Sequence, residues 1–141
     1  MVFKTLETRT IEFQGKQREY LVVDRNVNSP APRCFVGYGN GVPFISDEVP
    51  ENYKGPMVFH ELTEFELLQC EENRCLKALN AELEIVPENI KQDYMKFRRE
   101  TFESLINYLK ENYPNSPFIP EVRKSLDKLK ELINSYPIRK N

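Results

Sequence analysis

The sequence predicts an α+β fold, with a small antiparallel sheet over residues 8–46 packed against three or four helices over residues 56–136. Two observations predict it. Short runs of alternating apolar and polar residues, separated by Gly, Asn and Pro turns, fill the chain up to Ser46. From Pro56 onward apolar residues recur instead at three- and four-residue spacing, the period of a helix buried on one face. A chain of 141 residues is long enough for one core, so a single domain is expected, with a β-rich part over 1–55 and a helical part over 56–136.

Thr8–Phe13 and Glu19–Val23 read as two strands joined by the turn Gln14-Gly15-Lys16. Asp24–Arg33 is too rich in Pro and Asn for regular structure and reads as a loop. Cys34–Tyr38 reads as a third strand, Gly39-Asn40-Gly41 as a turn, and Val42–Ser46 as a short fourth. Pro43 in that last strand favours an edge or a strand start, because it has no N–H to give a ladder. Asp47–Gly55 is a second loop.

Pro56 fits the first turn of the next helix, where its missing N–H would be unpaired anyway. Residues 57–86 contain no Gly or Pro and could be one helix or two; a break near Gln69–Asn73 is preferred, with Asn73 as the cap of the second helix. On that second segment Cys75, Leu76, Leu79, Leu83 and Val86 make an apolar arc that includes Glu82. A third helix runs from Pro87-Glu88 to about Tyr113, with Arg98 in the middle of its apolar side. A fourth runs from about Pro120 to Tyr136, burying Val122, Leu126, Leu129 and Ile133, and Pro137 ends it.

Charge and composition narrow the function classes. Twenty-two acidic residues against twenty basic ones give a formal net charge of −2, so neither a nucleic-acid surface nor a polybasic membrane patch is expected. No apolar run is long enough to span a bilayer, and the first residues lack the apolar core of a signal peptide. Cys34, Cys70 and Cys75 are odd in number and irregular in spacing, which argues against a disulfide framework. A cytoplasmic protein is the expectation. Cys75, on an apolar arc, reads as a small buried hydrophobe, and no basic neighbour marks Cys34 or Cys70 as a reactive thiol.

One stretch stands out. Gly55–Leu68 is apolar on most sides, as an interior helix would be, yet it carries His60, Glu61 and Glu64. His60 and Glu64 are four apart and lie one above the other, while Glu61 is about 100° round the helix. Burying such groups is costly unless a metal, a countercharge or hydrogen bonds satisfy them.

His60-Glu61-Leu62-Thr63-Glu64 resembles the His-Glu-x-x-His helix of the zincin metallopeptidases, with Glu64 in place of the second histidine. The order of short strands, a Pro-containing loop and then the motif helix is similar to that of small zincin domains. The resemblance implies His60 and Glu64 as metal ligands and Glu61 as the base that activates a water. In the glutamate-ligand branch a third ligand comes from the next helix, which here implies Glu82. One imidazole with two carboxylates would suit Zn, Mn or Fe. Were residues 57–86 one straight helix, His60 and Glu82 would lie about 33 Å apart, so the metal reading requires the chain to fold back near 69–73.

Arg98 supports a competing reading. Its guanidinium is always charged and matches a carboxylate, so contact with Glu64 or Glu82 would satisfy the acids without a metal; the metal reading keeps Arg98 only as an anion or substrate binder beside the site. Glu61 could then simply face solvent. Three functions follow as expectations: a small zincin-like metal-binding protein, in its fullest form a metal-dependent hydrolase; a non-enzymatic structural or protein-interaction domain with a His/Glu/Arg cluster; or a homo-oligomer joined through the third helix or a sheet edge. The sequence names no substrate.

Overall fold

The computed structural model describes residues 3–25 and 32–135 and has the α+β architecture. Most of the predicted 24–33 loop, along with Tyr136 and Pro137 at the end of the last predicted helix, lies outside these residues. Strands β1 (Thr5–Phe13), β2 (Lys16–Val23), β3 (Val36–Gly39) and β4 (Val42–Ser46) precede helices α1 (Glu51–Leu62), α2 (Arg74–Glu84), α3 (Glu88–Asn112) and α4 (Phe118–Ser135).

The four strands form one sheet in the order β1-β2-β4-β3. It is mixed rather than purely antiparallel: β1/β2 and β3/β4 are antiparallel hairpins, but β2 and β4 run parallel, with Leu21, Val22 and Val23 opposite Phe44, Ile45 and Ser46. Both hairpins turn through two residues with positive φ, Gln14 (54°) and Gly15 (75°), then Asn40 (53°) and Gly41 (79°). That backbone matches the twist of the flanking strands. Pro43 sits in an interior strand, not at an edge. It is nonetheless tolerated, because the β2/β4 pairing begins only at Phe44.

The helices follow the predicted pattern with shifted ends. α1 begins at Glu51, a turn earlier than expected, so Pro56 lies inside the helix rather than in its first turn. The chain does break between the first two helices. A π-helical turn, Thr63–Leu67, ends the first one, with Leu68 N–H reaching back five residues to the Thr63 carbonyl at 3.1 Å. Asn73 precedes α2 but does not cap it: it is in the left-handed region (φ 56°), and its side chain accepts a bond from Lys124 at 2.6 Å. α3 buries Tyr94, Met95, Arg98, Phe102 and Ile106, and α4 buries Val122, Ser125, Leu126 and Leu129.

One core joins the sheet to the helices. Phe13, Tyr20, Val22 and Ile45 from the strands meet Met57, Val58 and Leu62 of α1, with α2, α3 and α4 closing the far side. Met57, Val58 and Leu62 are fully buried, which is why the helix ending at the motif is interior. Among the described residues no helix is long and apolar enough to cross a membrane.

Candidate metal centre

The hairpin of α1 and α2 brings the polar residues together. The π-helical turn widens the end of α1, where the Thr63 hydroxyl also bonds back to the Phe59 carbonyl at 2.8 Å. The fold-back carries Cys75 and Glu82, two turns apart on one face of α2, to the His60 ring. α3 crosses behind them with Tyr94 and Arg98. His60, Glu61, Glu64, Cys75, Glu82, Tyr94 and Arg98 are all buried.

His60 is held from both ring nitrogens. Nδ1 lies 2.7 Å from Glu82 Oε1, and Nε2 lies 3.1 Å from Glu64 Oε1 and 3.9 Å from Cys75 Sγ. Arg98 grips Glu82 through Nε at 2.7 Å and a terminal nitrogen at 3.1 Å, and the Tyr94 hydroxyl donates to the same carboxylate. Ser125 donates to Cys75 Sγ at 3.1 Å. The Arg74 guanidinium stands 3.6 Å from Glu64 and rests on the faces of Phe65 and Phe118.

Of the expected ligands, His60 and Glu64 are brought together on one nitrogen. Glu82 is not with them. It sits on the opposite side of the imidazole, where it fixes the ring instead of completing a shared coordination sphere. Cys75 takes the third place: one atom each from His60, Glu64 and Cys75 all lie within 4.8 Å of one another. Cys75 is buried in the core, as its apolar arc predicts, and it also stands beside the His60 ring. The available signal was the seven-residue interval to Glu82, which puts both residues on one helix face.

The donor set fits a tetrahedral ion. Bonds of 2.0–2.3 Å to N, O and S place neighbouring ligand atoms about 3.3–3.7 Å apart. The separations of 3.1 Å and 3.9 Å fall a few tenths of an ångström outside that range, a shift that side-chain rotation would supply on binding. Sulfur in the set favours zinc over manganese.

Without an ion, charge is balanced by protons. Burial alone would depress His60, but its hydrogen-bond contacts with Cys75, Glu64 and Glu82 raise it well above its usual value. Glu82 is opposed by burial yet held below the carboxylate range by Arg98 and His60. Imidazolium and guanidinium thus neutralise Glu82. Glu61 is left over. It is 7% exposed, and burial pushes its carboxyl up to about 8. The expectation that it could face solvent is not met.

Glu61 instead lines a cavity of about 210 Å³ together with His60, Glu64, Cys75 and Arg98. The other walls include Phe65, Phe102, Leu105, Leu109, Phe118 and Val122. No protein family, curated protein or solved structure matches the chain.

Proposed function

We propose that the chain binds one divalent transition metal, zinc by preference, through His60 Nε2, the Glu64 carboxylate and the Cys75 thiolate. The observation that carries this reading is the convergence of N, O and S donors within 4.8 Å on the free side of an imidazole anchored from behind. Glu82 plays the part of the carboxylate that commonly orients a metal-bound histidine and raises its basicity. Three protein ligands would leave a fourth position for water or substrate. A bound ion would supply Lewis acidity and lower the pKa of a coordinated water. Glu61, in the same cavity, would take the proton, which gives the zincin-like reading of a metal-dependent hydrolase. A thiolate ligand suits a reducing compartment, so the cytoplasm belongs to the same proposal.

A second reading rests on the Arg98–Glu82 pair. Together with Tyr94 and a protonated His60, it satisfies Glu82 completely, as a structural or protein-interaction domain would require. It leaves the Glu61 carboxyl without a partner.

Elemental analysis of protein purified without added metal or chelator separates the two. The metal reading expects about one zinc-like ion per chain, lost in Glu64→Ala and Cys75→Ser. Absence of metal, with Zn²⁺ failing to raise the melting temperature, would overturn it in favour of the polar cluster.

A further inference from the structure

We propose that the cavity at Glu61 is a binding site for a small non-anionic molecule, a single ring or short branched chain bearing an N–H or O–H donor, with the donor meeting the Glu61 carboxyl. The cavity and the unpaired acid point to this independently of any metal.

Glu61 is more than nine-tenths buried, and no residue among those described hydrogen-bonds to it or pairs with it. Its neighbours act on it only through their charges. Its oxygens are not wholly sealed from solvent, and a largely desolvated carboxyl gains from a hydrogen-bond partner. Here it faces the cavity, so a ligand can supply the missing contact. The remaining wall of Phe65, Phe102, Leu105, Leu109, Phe118 and Val122 offers apolar surface.

Size sets the scale. An apolar cavity of roughly 150 Å³ admits benzene. At about 210 Å³, this one has room for a ring and a head group of two or three further atoms.

Charge excludes an anionic ligand. Arg98 lines the cavity, but Glu82 and the Thr101 hydroxyl at 3.2 Å occupy its guanidinium, while the acids Glu61 and Glu64 line the same space. An anion finds no free cation there. A neutral or cationic donor meets no such barrier, because an unpaired carboxyl accepts from either.

The test is a titration of the full chain, followed by amide chemical shifts, with benzamide, toluene, benzoate and benzylamine. Each is run with EDTA and again with Zn²⁺. Benzamide is expected to saturate and to shift the amides of cavity residues. Toluene, lacking the donor, should bind about tenfold more weakly, benzylamine should bind through its N–H donors, and benzoate should not bind. Leu105→Trp and Leu109→Trp fill the space and should remove benzamide binding, with folding checked by circular dichroism. Glu61→Leu should abolish the preference for benzamide over toluene. The proposal is overturned if benzamide shows no saturable shift, if its shifts persist in both folded tryptophan variants, or if benzoate binds as tightly. Benzamide binding in EDTA with no Zn²⁺ uptake would retain this site and remove the metal centre.

Discussion

Glu82 Oε1 lies 2.7 Å from Nδ1 of His60, on the side of the ring opposite Glu64 and Cys75. A carboxylate can only accept there, so the contact fixes the proton on Nδ1 and directs Nε2 at the other two side chains. The same Glu82 is fully buried and bound by Arg98 and Tyr94. One residue therefore anchors both the core and the centre.

Glu82→Gln keeps the shape but strands Arg98 as a buried charge. Loss of one partner from such a pair costs about 3–5 kcal/mol, so the variant should unfold at clearly lower urea with an unchanged m-value. Where it remains folded, Zn²⁺ affinity should drop roughly 10–100-fold without vanishing, because the residue orients the ligand rather than serving as one. Complete loss of zinc binding in a folded Glu82→Gln would instead make Glu82 a ligand, as the sequence motif implied.

Stability of the metal-free protein should fall as pH rises through neutrality. Glu61 has a folded value of about 8 against an ordinary 4.5, so between those values the folded chain holds a proton that the unfolded chain has released. Folding is then favoured at the acid end of the window, and that advantage is gone once pH passes the folded value. His60, raised well above 6.5 by Cys75, Glu64 and Glu82 against the pull of burial, adds to the same trend. Urea denaturation in EDTA from pH 5 to 9 checks it. Glu61→Gln, neutral throughout, should flatten the slope and be more stable than the parent at pH 8 by roughly 1–3 kcal/mol. An unchanged slope would place the titration elsewhere.

Most of the fold could be read from local pattern. The two hairpins, the break after residue 68 and the buried stripe of α4 follow from turn residues and apolar spacing that act within a few positions. The parallel β2/β4 pairing could not be read so, because it joins Leu21 to Phe44 across the intervening β3 hairpin arm and depends on tertiary packing. The start of α1 was obscured by Pro56, whose presence inside a helix contradicts its local preference. In the centre, His60, Glu61, Glu64, Glu82 and Arg98 all carried charge at apolar positions and were visible for that reason. Cys75 carried none. Which nitrogen of His60 each acid would meet depends on how α2 folds back, and no spacing encodes that.

Gly37 is a steric requirement of the β3/β4 hairpin. It is paired with Phe44, and a Cβ at this position would collide with the Phe44 ring. The contact is with the far end of a ring that also packs near Phe35, so the ring must shift or the strands must part. Gly37→Ala should cost about 1–3 kcal/mol in thermal or urea unfolding. Phe44→Leu should recover part of that loss in the double variant, giving a coupling that simple loss of glycine flexibility would not produce.

The π-helical turn should be held by an ion pair outside the cluster. Glu66, next but one to Glu64, takes both terminal nitrogens of Arg18 at 2.5 Å and 2.6 Å and the Tyr38 hydroxyl at 2.6 Å, tying the turn to β2 and β3. Phe65 stacks on Tyr38 with ring centres 5.3 Å apart. The Arg18 bond holds Glu66 below the usual carboxylate range, so its contribution is full above the ordinary value and disappears as pH falls through the lowered one. A partly exposed pair contributes little to global stability. The expected effect of Arg18→Met is therefore local, with faster amide exchange at Leu67 and Leu68 and only a small change in melting temperature. Glu64 sits on this turn, so the variant should also weaken Zn²⁺ binding while leaving the Glu82–His60 contact in place. Unchanged exchange at Leu68, whose N–H closes the turn onto Thr63, would show that packing of Phe65 alone maintains it.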